Sequence, residues 1–278
     1  MTDTIETIGK SLVQHGKLSN RVYLMKLHKD DYPHILVLLD ALAFRHGYSK
    51  IIAKVPGLAS AEFTENGYCQ EALVPKFYAD GEDAIFLARY LDTQRAVISE
   101  DDMQQIWKTR ELVKKKIGTS SEMNDSLLTR ILTEDDAQDL AVLYDVMFKT
   151  YPFPINDVEY IRETMESHCT YVGIYDRGRL VAASSAEMDV YNLNAEMTDF
   201  ATLIDYQGKR LATLLLRTME DQMSDRGFST LFTIARACSV GMNLTFARMG
   251  YQLSGTLVNN TNIAGRIESM NVWYKRLE

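Results

Sequence analysis

Along the C-terminal half of the chain the hydrophobic pattern switches repeatedly between a period of two and a helical period, so strands and helices are expected to alternate. Leu127–Leu132 reads as a short strand. Glu134–Phe148 follows as a helix with Ala137, Leu140, Ala141, Tyr144 and Phe148 on one face. Tyr151-Pro152-Phe153-Pro154 cannot continue a helix and predicts a stiff loop. Asp157–Glu166 is a second helix. Tyr171–Tyr175 and Leu180–Tyr191 are strands joined by a hairpin turn at Asp176-Arg177-Gly178-Arg179. Ala195–Leu203 is a strand, Leu211–Met223 a helix striped by Leu211, Leu214, Leu215 and Met219, and Leu231–Ala235 a short strand. Val240–Met249 is a helix, and Tyr251–Val258 and Met270–Leu277 are the last two strands. The order β-α-α-β-β-β-α-β-α-β-β predicts an α/β fold, a mixed sheet with helices on its faces.

The N-terminal half echoes the end of this pattern. Phe63-Thr64-Glu65-Asn66-Gly67-Tyr68 has the spacing of Phe246-Ala247-Arg248-Met249-Gly250-Tyr251. A strand, Lys50–Val55, precedes it, and two more, Cys69–Phe77 and Asp83–Leu91, follow. Glu100–Lys116 reads as an exposed helix whose last turn, Lys114-Lys115-Lys116, is solvated and favoured there by the helix dipole. Small polar residues fill 118–126, which suits a linker. The 278 residues therefore divide into a smaller α/β domain (1–117), the linker (118–126) and a second domain (127–278).

Charge and composition narrow the function. A net charge of −8 argues against nucleic acid or an anionic membrane as partner. Apolar runs fall short of the roughly 20 residues of a membrane span. The acidic start Met1-Thr2-Asp3-Thr4-Ile5-Glu6 has no signal core, and Cys69, Cys169 and Cys238 are too scattered for a disulfide framework, so a cytoplasmic protein with reduced thiols is expected. No CxxC, HExxH or GxxxxGK[ST] occurs, which removes the common zinc and P-loop readings.

The chemistry concentrates where a strand meets a helix. Between Ala195–Leu203 and Leu211 lies the turn Gln207-Gly208-Lys209-Arg210. A helix N-terminus exposes unpaired N–H groups and partial positive charge, a site for phosphate. Further on, Asn243–Gly250 forms a short helix ended by glycine, which suits a left-handed cap. This pair of features, in this order and with Leu231–Ala235 between, resembles the GNAT superfamily of acetyl-CoA-dependent N-acetyltransferases. That family's turn, Q/R-x-x-G-x-G/A, matches at Gln207 and Ala212, while its inner glycine is Arg210 here. The resemblance implies acetyl-CoA as co-substrate, held by Gln207, Gly208, Lys209, Arg210, Leu211 and Ala212, with Asn243 and Phe246 beside it and no metal. It places an oxyanion donor near Thr202 or Leu203. It also puts Phe246 where many members carry an acidic tyrosine, so Tyr151, Tyr191 or Tyr274 takes that role or the thiolate leaves unassisted.

The base is sought among carboxylates. Glu187 and Asp189 share a strand face. Glu196 and Asp199 have opposite parity and part company unless a bulge intervenes. Glu196 is the first choice, with Asp199 and Glu187 behind it. Segments 151–155, 194–203, 233–237, 259–263 and 268–275 also resemble the branch of the superfamily that acetylates a small diamino acid to make a compatible solute. Such an acceptor needs acids for its ammonium groups and a cation for its carboxylate. Arg236 is the expected carboxylate partner. Asp189, Tyr151, Phe153 and Tyr274 are expected to line the pocket, along with Asn259 and Asn260 in the loop between the last two strands. The first domain, without a phosphate turn, would be a degenerate GNAT half serving packing, homodimerisation or pocket shape. Two alternatives stand beside this reading: another amine acceptor (a polyamine, lysine or protein lysine), and an acyl-CoA-binding module without turnover.

Overall fold

The computed structural model describes residues 2–116 and 127–277, and the expected linker, 118–126, lies outside the described residues. The chain begins with β1 (Thr4–Ile8), β2 (Ser11–Gly16), β3 (Arg21–Lys26), α1 (Ile35–His46), β4 (Lys50–Pro56), α2 (Ser60–Glu65), β5 (Cys69–Val74), β6 (Ala84–Tyr90) and α3 (Glu100–Lys116). It continues through β7 (Thr129–Ile131), α4 (Ala137–Met147), α5 (Val158–Ser167), β8 (Cys169–Asp176), β9 (Arg179–Asp189) and β10 (Asn194–Thr202). Last come α6 (Leu211–Asp225), β11 (Thr230–Arg236), α7 (Val240–Arg248), β12 (Gln252–Ile263) and β13 (Arg266–Arg276). Among the described residues no helix is long and apolar enough to cross a membrane.

The strands form two mixed sheets, ordered β1-β2-β3-β4-β6-β5 and β12-β13-β11-β10-β9-β8-β7. Each has one parallel pair, β3/β4 and β10/β11. The wiring of the two is the same. A helix (α1, α6) links the parallel strands, a second (α2, α7) leads to an edge strand (β5, β12), and a hairpin returns the last strand (β6, β13) between them. The equivalence reaches single residues. Phe63 and Tyr68 meet edge to face at 5.1 Å, as Phe246 and Tyr251 do at 5.3 Å. Tyr68 N–H bonds the Phe63 carbonyl (3.1 Å) and Tyr251 N–H the Phe246 carbonyl (3.0 Å), across Gly67 at φ 83° and Gly250 at φ 84°. The six-residue echo in the sequence is thus one helix-capping motif used twice. The counterpart of the basic turn carries Asp31 instead, which accepts from Lys10 N–H (2.8 Å) and the Ser11 hydroxyl (2.6 Å). A carboxylate in that place is unsuited to an anion.

Helices α1 and α2 cover one face of the first sheet over Val22, Leu24, Ile51, Ala53 and Val55. Its other face, with Tyr23, Ile52, Val74 and Phe86, packs on Phe232, Leu257, Met270 and Val272 of the second sheet. The equivalent edges also meet. The Ser254 hydroxyl bonds both Leu73 N–H (2.7 Å) and the Leu73 carbonyl (2.5 Å). β12 bulges between Leu257 and Thr261. There the carbonyls of Val258, Asn259 and Asn260 accept from Lys50 (2.7 Å), Arg95 (2.7 Å) and Arg21 (3.0 Å), three buried cations of the N-terminal half. Asn259 and Asn260 therefore belong to a strand, not to the expected loop. The true turn is Ala264-Gly265. Helix α3 is exposed on most of its surface but buries Ile106, Thr109 and Val113, and it packs against α7.

At Gly255 the strands β5 and β12 come closest: a Cβ there would stand 1.9 Å from the Glu71 carbonyl oxygen and 2.9 Å from Ala72 Cα. Backbone on the far side cannot rotate away, so Gly255→Ala is expected to cost about 1–3 kcal/mol of overpacking. Urea denaturation checks this; an unchanged midpoint would show that the edges are not in contact in solution.

Candidate active site

The face of the second sheet that meets the first carries a cross-strand row, Cys169–Glu187–Glu196–Phe232–Tyr274, set by direct register pairing. Glu187 and Glu196 are therefore neighbours, both half-buried. β10 bulges between Thr198 and Ala201, with Asp199 at φ 55°. The bulge breaks the alternation and brings Asp199 to the same side. Its carboxylate accepts from the Ser185 hydroxyl (2.6 Å) and the Tyr151 hydroxyl (2.5 Å). The three acids thus gather where α4, α5 and the 151–154 loop give way to the first sheet. The Gln14 side chain of that sheet bonds the Pro152 carbonyl (3.2 Å) and ties the loop in place.

Burial and mutual repulsion act on this cluster. Desolvation first, then the charges of Glu196 and Asp199, push Glu187 up to about 8. Desolvation raises Glu196 to about 7, against the pull of Lys54. Asp199 is also raised by burial, opposed by its hydroxyl donors. Tyr144, Tyr151, Tyr160 and Tyr171 surround the acids, and burial followed by nearby negative charge raises each phenol. The buried Tyr144 hydroxyl has no partner among the described residues. The arrangement, acids walled by aromatic rings, is suited to ammonium groups.

Beyond Glu196 and Phe232 the parallel pair separates. Leu203 N–H bonds the Val181 carbonyl (2.9 Å) on the β9 side. Strand amides alternate, so Thr202 N–H points the other way, into the gap between β10 and β11. Gly208 (φ 78°) and Arg210 (φ 62°) both take the left-handed conformation at the mouth of α6. Arg210 stands where the family has glycine and adopts the backbone a glycine would. Space beside Gly208 is open to 4 Å, and α6 has no side-chain cap. An uncapped helix N-terminus beside an open glycine fits a pyrophosphate, and the β10/β11 gap lies beside it. Two surface recesses lie outside the acid cluster, one of about 160 Å³ lined by α4 and Leu203, the other of about 420 Å³ lined by Met165 and Arg226.

The acetyltransferase (GNAT) family model matches residues 139–251. Over 99% of this chain and 100% of its own length, a protein of Methanococcus maripaludis named beta-lysine N(6)-acetyltransferase is 40% identical. The chain belongs to the GNAT family. A Methanosarcina mazei protein of the same name is 32% identical over 88% of this chain and 98% of its own. The N-acetyltransferase YodP of Bacillus subtilis is 34% identical over 80% and 78%. The protein is an acetyl-CoA-dependent N-acetyltransferase.

Several residues expected to serve this GNAT site do other work. The Arg236 guanidinium is held bidentately by Glu268 (2.9 and 2.6 Å), so it is not free for a substrate carboxylate. Asp189 is taken by Lys26 (3.1 Å) and by Asn192 side chain (2.8 Å) and backbone (3.1 Å). Asn259 donates to the Arg95 and Val97 carbonyls, each at 2.9 Å, and Asn260 is buried beside Thr261. Asn243 donates to the Arg236 and Ser239 carbonyls and accepts from Asn271 and Trp273, all within the core. Phe246 is buried between Phe200 and Tyr251, and the Leu211 side chain is buried too. Leu203 has committed its N–H to Val181, and of the two expected donors the Thr202 N–H is the one that points into the β10/β11 gap. Tyr274 bonds Gln252 (2.8 Å) at the outer end of the row, and Tyr191 is exposed in the β9–β10 turn. Gln207 donates to the Thr202 carbonyl (3.2 Å), and Lys209 lies over the Tyr206 ring (4.3 Å). Phe153 lies beside Tyr151, with ring centres 6.4 Å apart. Lys54, Tyr144, Tyr160 and Ser185 were not foreseen. Lys54 had one signal, a lysine inside the apolar strand Lys50–Pro56.

A carboxyl whose pKa is higher folded than unfolded binds more protons in the folded state, so stability falls as pH rises between the two values. For Glu187 that window runs from its ordinary 4.5 to about 8. Glu187→Gln is therefore expected to gain in melting temperature relative to wild type as pH rises from 5 to 8. Parallel curves for the two proteins would show that Glu187 is not desolvated.

Proposed function

We propose that the enzyme transfers acetyl to the terminal amine of β-lysine, giving the compatible solute Nε-acetyl-β-lysine. The observation that carries this reading is the three-carboxylate cluster opposed, among the described residues, by Lys54, an environment suited to an acceptor with more than one ammonium group. The two archaeal relatives named for this activity support it.

An alkyl ammonium near pKa ~10.4 is only about 0.04% free amine at pH 7, so deprotonation accounts for roughly 4.6 kcal/mol of the barrier. Glu196 is the base in this mechanism. It lies on the bulged strand that leads to the β10/β11 gap, and its pKa near 7 suits proton abstraction at neutral pH. Asp199, saturated by Ser185 and Tyr151, holds Tyr151 in place and draws the ammonium in. Tyr151 is a poor acid, since burial and Asp199 raise its pKa. The thiolate leaves without it, because its thiol is acidic enough for the anion to depart unprotonated. Thr202 N–H stabilises the developing oxyanion. Gln207, Gly208, Lys209, Arg210 and the backbone of Leu211 and Ala212 would hold acetyl-CoA, which supplies the activated acetyl group.

Glu196→Gln is expected to lower kcat for β-lysine about 10²–10⁴-fold at pH 7, with acetyl-CoA affinity unchanged. The deficit should shrink toward pH 10, where the free amine becomes abundant. Thiol release from acetyl-CoA measures both. Full turnover by the variant at pH 7 would remove Glu196 as the base.

A further inference from the structure

Among the described residues the cation that acts on Glu187 and Glu196 is Lys54, and it comes from the other sheet. Lys54 lies on β4 with its Nζ 5.2 Å from the centre of the Phe77 ring and 5.1 Å from that of Phe232. Phe232 is the register neighbour of Glu196, and Glu196 of Glu187. The ammonium therefore stands at the end of the acidic row, where desolvation lowers its pKa against the pull of Glu196, Glu187 and Asp189. Its place is built. Asn194 donates to the Phe77 carbonyl (3.0 Å), Thr230 to that of Lys76 (2.9 Å), and the Phe77 and Phe232 rings meet edge to face at 5.1 Å.

Yet Lys54 makes no hydrogen bond and no ion pair among the described residues. The other buried cations of this half, Arg21, Lys50 and Arg95, are each bonded to a named oxygen. A half-buried ammonium that touches ring faces and feels the acids only at a distance has donors to offer. An arginine in the second sheet was the expected carboxylate partner, and Arg236 is closed off by Glu268.

We infer that Lys54, supplied by the N-terminal half, binds the carboxylate of the acceptor and so selects amino acids over plain diamines. The inference rests on the β-lysine reading and deepens it. Glu187, Glu196 and Asp199 face the two ammonium groups, and Lys54 takes the one negative group at the opposite end. The degenerate half, which has no phosphate turn, thereby contributes a specificity determinant to the site of the other.

The test compares β-lysine with pentane-1,4-diamine, which keeps both amines and lacks only the carboxylate. For Lys54→Met, kcat/KM for β-lysine is expected to fall about tenfold to a hundredfold, carried by KM, while the value for the diamine stays within about threefold. Lys54→Arg keeps the charge and should keep the preference. Acetyl-CoA binding and a thermal melt confirm that each variant is folded, with Lys54→Gln replacing the methionine variant if that one is not. Equal losses on both acceptors, with a shifted pH profile, would overturn the inference and make Lys54 a tuner of the acids. A wild-type enzyme that turns over other amines and leaves β-lysine untouched would overturn the acceptor reading instead, and the inference with it.

Discussion

Three carboxylates brought out of water into one seam are the constraint on which the rest of the structure depends. Glu187 and Glu196 are paired across strands, and a bulge adds Asp199. Isolated from a cation, such a cluster holds protons that ordinary carboxyls would have released. In the proposed function a dicationic ligand reverses this, because two ammonium groups among the three acids favour their charged forms. Base strength and ligand preference therefore have one physical origin. In the proposed function the site that draws in an ammonium is also the site where burial raises the acids above ordinary carboxyls.

The seam exists only because two sheets close over it. Their shared wiring gives each an edge strand in the same place, and those edges, β5 and β12, meet at Gly255. Three buried cations on three successive carbonyls of the β12 bulge fix the contact. A charge-assisted hydrogen bond to a carbonyl is worth roughly 1.5–3 kcal/mol, and removing either partner leaves a buried group unsatisfied. The N-terminal half thus packs over the face of the second sheet that carries the acids. It bears Tyr23 and Ile52 where its counterpart bears Glu196 and Phe232, and an aspartate where its counterpart bears the basic turn.

Much of this was legible in the sequence. The element order of the second half and the family followed from periodicity and from the turn at Gln207–Ala212, and α3 was placed to the residue, whereas β1, β2, β3 and α1 were not read from the sequence. The repeat was visible in six residues because a glycine cap with an aromatic pair has a fixed spacing. What failed was partner choice. Arg236 looked like a ligand, but its answer lay in Glu268, 32 residues away. Asn259 and Asn260 looked like a turn because asparagine favours turns, whereas here they fill a bulge. Asn243 and Phe246 sit on the right helix but face the core, since helix phase cannot be read without the neighbours. The side of Asp199 depended on one bulged residue, which no alternation rule can foresee. Lys54 was missed because its meaning comes from the opposite sheet.

The central claim is that the free enzyme holds protons on the seam acids and gives them up to a dication. Calorimetric titration of β-lysine into the enzyme without acetyl-CoA, at pH 7 in two buffers of different ionisation enthalpy, measures this directly. The account predicts a net release of protons on binding, diminished in Glu187→Gln. Binding heats that do not depend on the buffer would show acids already ionised in the free enzyme, and would contradict it.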